Sequence, residues 1–257
     1  NNYEIELMKY TSYTYHCVRA EVSAFIIEDG VTEYHIMLHV TNPMLSYYEQ
    51  MEAVFKIYTS LLQNELHGAS SIFKRFFLSD AANQTDLLLA RMIEDSDCAL
   101  SVVQQPPLDG TKIALWAHLL TNVKTNMLPN GLFEVKYGKY RQLWLGGCSN
   151  KAANSEYQMR LLLNDYVMQL MEENCTLEAN CLRTWIFVQN VDCNYAGAVK
   201  ARNEVFATQN LTEKTHYIAS TGIEGRHADP KVLVMLDAYA IEGIKPDQIK
   251  YLYARTH

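Results

Sequence analysis

"LRTWIFVQNVDCNYAGAVKARNEVF", residues 182–206, and "SIFKRFFLSDAANQTDLLLARM", residues 71–92, decide the fold because they follow one pattern. Each opens with a strand-like run of aromatic and aliphatic residues, reaches an aspartate (Asp80, Asp192) and passes into a helical stretch. Arg183 stands where Arg75 stands, and Ala201-Arg202 where Ala90-Arg91 stands. Recurrence of a whole strand-and-helix series is the mark of duplicated units.

The pattern extends outward on both sides. Before the first series, residues 14–28 and 33–41 alternate in polarity around Asp29-Gly30 and read as a β-hairpin. A helix follows from an N-cap at Ser46 to about Leu66, with Met51, Val54, Ile57, Leu61 and Leu62 at three- and four-residue steps. After the series, "ALSVVQQ" and "TKIALWAHLL" read as two strands. The second copy has a hairpin around Gly138, a helix over 154–174, and closing strands in "THYIASTGI" and "KVLVMLDAYAI". Both copies thus read ββ-α-β-α-ββ, an α+β fold of two tandem units, each a mixed sheet with two helices on one face. Pro129 beside Asn130-Gly131 marks a break. The expected organisation is a first domain over 1–122, a linker over 123–133, a second domain over 134–241, and a tail over 242–257 leading into a further segment.

Of the 257 residues, 49% are hydrophobic, enough for two modest cores. The net charge of −7, with no long basic run, argues against a nucleic-acid partner, whose phosphates need clustered Lys and Arg. The start "NNYEIELMKY" lacks a signal-peptide pattern, and no apolar run approaches the roughly 20 residues that span a bilayer, so the expectation is a cytoplasmic protein without a membrane partner. The six cysteines have no CxxC spacing and read as reduced thiols.

No phosphate loop, dinucleotide fingerprint, zincin helix or GxSxG elbow occurs, and no cofactor is expected. His35 and His39 share a strand face, but no third ligand stands at a suitable spacing, so they read as half-buried strand histidines and no metal site is expected. "YIASTGIEGR", residues 217–226, is the candidate binding stretch. Its small residues allow close approach, Ser220 and Thr221 supply hydroxyls, and Glu224 and Arg226 rim it. An arginine beside a small neutral site suits a carboxylate. Arg202 is a helix arginine with Glu204 close by, and Arg183 precedes Trp185 on a strand, where a charge calls for a partner or a cleft. Asp237 interrupts "VLVMLDAYA", which places it at an interface or makes it a functional carboxylate with a raised pKa.

The order of elements, the segment "SVVQQPPLDGTKIALWAHLL" and the series from "RTWIFVQNVD" through "IASTGIEG" to "VLVMLDAYA" resemble the YjgF/RidA family, also labelled endoribonuclease L-PSP or translation initiation inhibitor. The resemblance covers about residues 14–122 and 134–241. The second copy is also similar to the C-terminal region of the chorismatases, through Trp185, Arg202, Phe206 and Ala219 to Ile223. This implies chorismate-mutase-like units assembled as a homotrimer, with clefts that take a small carboxylate-bearing metabolite and hydrolyse an imine or enamine. The arginine that grips the carboxylate in the deaminase branch is replaced here by Ser220, and its counterpart in the first copy falls near Ala99 or Leu100. Under this resemblance Arg183, Arg202, Ser220, Thr221 and Arg226 bind substrate and Glu224 and Asp237 are the catalytic acids. The alternatives are a chorismatase-like lyase or hydrolase and a non-catalytic scaffold for a further RidA-like unit.

Overall fold

The structure is a computed structural model that describes residues 8–27, 30–93 and 98–252. The first unit runs β1 (Met8–Thr14), β2 (Val18–Ile26), β3 (Thr32–Val40), α1 (Tyr47–Asn64), β4 (Ala69–Leu78), α2 (Ala81–Met92), β5 (Ala99–Gln104) and β6 (Ile113–Thr121). The second runs β7 (Lys124–Met127), β8 (Phe133–Tyr137), β9 (Tyr140–Ser149), α3 (Ser155–Glu172), a single turn α4 (Leu177–Asn180), β10 (Cys181–Val188), α5 (Val191–Thr208), β11 (Ala219–Glu224) and β12 (Val234–Glu242). Each unit forms one six-stranded sheet, in the orders β1-β2-β3-β6-β4-β5 and β7-β8-β9-β12-β10-β11. The two orders are the same, element for element. The pairs β4–β5 and β10–β11 are parallel because a helix carries the chain back between them, which makes both sheets mixed.

One face of each sheet is covered by its own helices. Met51, Val54 and Leu61 of α1 pack on Ile36, Leu38 and Phe76, while Met159, Leu163 and Tyr166 of α3 pack with Ala201 and Phe206 of α5 on Ile186 and Leu236. The start of α1 follows from local chemistry. Ser46 accepts from the Glu49 amide and donates its own amide to the Glu49 carboxylate, a reciprocal capping box.

Three sequence expectations change. Each unit carries a further strand at its start, β1 and β7, so the order is βββ-α-β-α-ββ. Both are edge strands with exposed residues, and without a buried face they lack the polar–apolar alternation that marks a strand. β7 lies within 123–133, so that stretch belongs to the second sheet. The match of Arg75 with Arg183 is also displaced by two positions. Leu78 pairs with Ile113 and Val188 with Val234 at corresponding strand ends, so Arg75 corresponds to Trp185 and Phe73 to Arg183. The same counting makes Leu100 the counterpart of Ser220, since Phe73 pairs with Ala99 and Arg183 with Ala219. The first hairpin forms as expected, although Asp29 of its turn lies outside the described residues.

The helix-free faces of the two sheets meet. Phe73 of the first unit lies 5.4 Å from Trp116, 5.4 Å from Trp144 and 6.3 Å from Trp185, ring centre to ring centre. β5 packs along β9 so closely that a Cβ on Gly146 would lie 2.6 Å from the Leu100 carbonyl oxygen. Glycine is needed there for the approach of one backbone to another. Arg75 of β4 and Asp237 of β12 close the junction as an ion pair of 2.7 Å.

Candidate functional site

β11 is the last strand of the second sheet and has no strand on its far side among the described residues. Its two faces therefore lead to different surroundings. Ser220 and Gly222 point toward α5, where Gly222 meets the ring of Tyr195, and Thr221 points to the opposite face. Successive strand residues always diverge in this way, so Ser220 and Thr221 do not share a site.

On the helix side, Arg202, Phe206, Thr212, Lys214, Ile218 and Ser220 line a cavity of about 770 Å³. That volume lies within the range of small-molecule sites. Arg202 has one polar partner among the described residues, the neutral Asn203 side chain, to which its Nε and Nη2 donate at 3.2 and 3.0 Å. Glu204, its neighbour in sequence, is instead held by Arg160 at 2.6 Å. The Arg202 guanidinium lies over the Phe206 ring at 6.0 Å. Ser220 Oγ accepts from Thr184 Oγ1 at 2.9 Å, which leaves the Ser220 hydroxyl proton free to donate. The wall thus offers two cations, Arg202 and Lys214, one anion, Glu213, and a free hydroxyl donor.

The other expected site residues lie elsewhere. Arg183 donates to Thr221 Oγ1 at 2.6 Å and sits over Trp185 at 5.1 Å, on the face away from α5. Burial pulls its guanidinium below the ordinary arginine range. Glu224 accepts from the amides of Asn190 and Val191 at 3.0 and 2.8 Å. Asn190, in the left-handed region at φ 50°, makes no side-chain cap of its own, so Glu224 takes that role for α5. Arg226 is exposed, 3.7 Å from Glu224, and its backbone exchanges hydrogen bonds with Gln104 of the first unit. Asp237 is fully buried. One of its oxygens accepts from Arg75 Nε and Nη2 at 3.1 and 2.7 Å, the other from the Gly147 amide at 2.6 Å. Of the two roles open to it in the sequence, interface and acid, this geometry is that of the interface.

The cavity therefore joins Arg202 and Ser220 and leaves out Arg183, Thr221, Glu224, Arg226 and Asp237. Sequence reasoning missed Lys214 and Thr212, which follow α5 in an irregular segment where no periodicity singles out a residue. A smaller cavity of about 340 Å³ lies across the strand entry, lined by Glu178, Cys181, His216, Tyr217, Ala219 and Tyr251. It holds none of the arginines. All six cysteines are free thiols. Among the described residues, no helix is long and apolar enough to cross a membrane.

No family model matches the sequence, and no curated relative matches it. Among solved structures, a chorismatase is similar over 89% of this chain and 78% of its own, with a TM-score of 0.59 at 9% identity. The YjgF gene product of E. coli is similar over 42% of this chain and 84% of its own (TM-score 0.36, 16% identity). A Mycobacterium tuberculosis member of the YjgF/YER057c/UK114 family covers 42% of this chain and 82% of its own (TM-score 0.32, 19% identity). The chorismatase likeness is one of fold. It spans both units, and the α+β fold of two similar units expected from the sequence is the fold found.

Proposed function

We propose that this chain binds a small carboxylate-bearing metabolite in the groove between α5 and the start of β11. The observation that carries the reading is Arg202, a guanidinium without a carboxylate partner among the described residues, on the same wall as a serine hydroxyl free to donate. A bidentate guanidinium–carboxylate pair with a neutral hydroxyl beside it is a common way to hold such an acid. Glu224 and Asp237 are engaged outside the groove, so the reading includes no acid step through either.

The test is calorimetric titration with 2-keto acids, chorismate, isochorismate and benzoate analogues. Charge-assisted hydrogen bonds contribute about 1.5–3 kcal/mol, so Arg202→Ala is expected to weaken binding of the acid that titrates by roughly 10- to 100-fold. Arg226→Ala, outside the groove, is expected to bind as the parent does. Equal binding by Arg202→Ala, or loss in Arg226→Ala alone, would move the site elsewhere.

A second reading, that the two units scaffold a further RidA-like unit, is favoured by one observation. β5 packs on β9 of the other sheet, whereas its counterpart β11, the same edge strand of the second sheet, makes no comparable contact with β3 among the described residues. Sedimentation equilibrium of this chain is expected to give an assembly larger than one chain if that edge is covered by a second copy. A monomer at all concentrations would leave the edge unused by this chain alone.

A further inference from the structure

On the helix-free face of the first sheet, β3 presents Glu33, His35, Met37 and His39 in alternate positions. His39 is held apart by Glu21 at 3.2 Å. His35 pairs across the ladder with His118 of β6, 83 residues further on, so two imidazoles from different strands converge with the Glu33 carboxylate. The His35 and His118 ring centres are 4.7 Å apart. His35 Nε2 lies 2.8 Å from Glu33 Oε1, and His118 Nδ1 lies 3.7 Å from the same oxygen. One ligand atom from each residue falls within 4.8 Å of the other two.

His118 supplies an independent observation. Its side chain is 3% exposed, and neither ring nitrogen has a hydrogen-bond partner among the described residues. A buried imidazole normally finds at least one partner, and an orphaned pair of nitrogens calls for an explanation. The ring is fixed by Trp144, at 5.0 Å between centres, while His35 stacks on Trp116 at 5.9 Å. Aromatic walls thus set both imidazoles before any ligand arrives. His35 and Glu33 are about one-third exposed, which gives a path from solvent to a ligand set that is otherwise enclosed.

We propose that Glu33, His35 and His118 form a binding site for one divalent transition-metal ion. Two imidazoles and a carboxylate suit zinc, cobalt, nickel or ferrous iron, and they are poor ligands for calcium or magnesium, which prefer all-oxygen shells. Zinc bonds of about 2.0–2.2 Å place neighbouring tetrahedral ligands roughly 3.3 Å apart. The two separations from the carboxylate oxygen, 2.8 and 3.7 Å, bracket that value, and all three ligand atoms lie within 4.8 Å of one another. Three protein ligands leave one position for water. The site lies in the first unit, and the acid-binding groove lies on the helix side of the second, so either can fail without the other.

The test is equilibrium dialysis of the intact chain against Zn²⁺, with the visible spectrum of the Co²⁺ form as a second readout. The expected result is one saturable zinc per chain, and more than tenfold weaker binding in both His35→Ala and Glu33→Gln. These two residues reach solvent, so both variants are expected to keep the parent's circular dichroism and metal-free melting temperature. Co²⁺ is expected to show ligand-field bands of nitrogen and oxygen ligation. Three results would overturn the proposal: no saturable zinc, undiminished zinc in both variants, or a thiolate-to-cobalt charge-transfer band, which would assign the metal to a cysteine.

Discussion

Arg75→Ala is expected to destabilise the chain by about 3–5 kcal/mol, because it leaves the Asp237 carboxylate buried without its counter-ion. Asp237 is fully buried, and the Gly147 amide would be its one remaining partner. Arg75 also packs among the rings of Phe73, Trp116, Trp185 and Phe187, each within 5.2 Å, so truncation removes packing as well as charge. In a chain of this size, 1 kcal/mol moves the melting temperature by roughly 2–4 °C, so the fall should be about 6–20 °C. Circular dichroism against urea and temperature gives the result. Replacing both partners, Arg75→Met with Asp237→Leu, should recover part of the loss, since an apolar pair leaves no buried charge unmatched and only the Gly147 amide loses its acceptor. A single variant within about 1 kcal/mol of the parent would mean that the ion pair does not hold the two units together.

The second large effect belongs to Phe73→Ala, with an expected loss of about 3–5 kcal/mol from the cavity it leaves. Phe73 is fully buried, and its ring touches Trp116, Trp144 and Trp185. These are all three tryptophans of the protein, so intrinsic fluorescence reports on the junction between the units. The urea midpoint followed by tryptophan emission should fall as far as the midpoint followed by circular dichroism. A fluorescence midpoint that stays at the parent value would place the cooperative core away from this cluster.

The candidate groove was legible in part. The small residues of 217–226 marked the strand, and Arg202 was visible as a helix arginine ahead of Phe206. Period-two alternation already separates Ser220 from Thr221, so the expectation that both bind one ligand ran against the strand's own geometry. The state of Arg202 was not legible. Glu204 stands two residues away in sequence, yet Arg160 of another helix holds it, and only the packing of α3 against α5 creates that choice.

The sequence by itself determined the elements and their repetition. Hydrophobic period, the Ser46 cap and the glycine turns act over a few residues, and the two copies repeat them in one order. The exposed strands β1 and β7 escaped notice because their pairing partners, and not a buried face of their own, make them strands. What only the tertiary structure decided is how distant residues meet. Arg75 finds Asp237 across 162 positions, and His118 lies opposite His35 through the register of β3 with β6. Burial takes Arg75, Asp237 and His118 away from water, so what the fold sets beside each one decides its chemistry, and no local pattern carries that information.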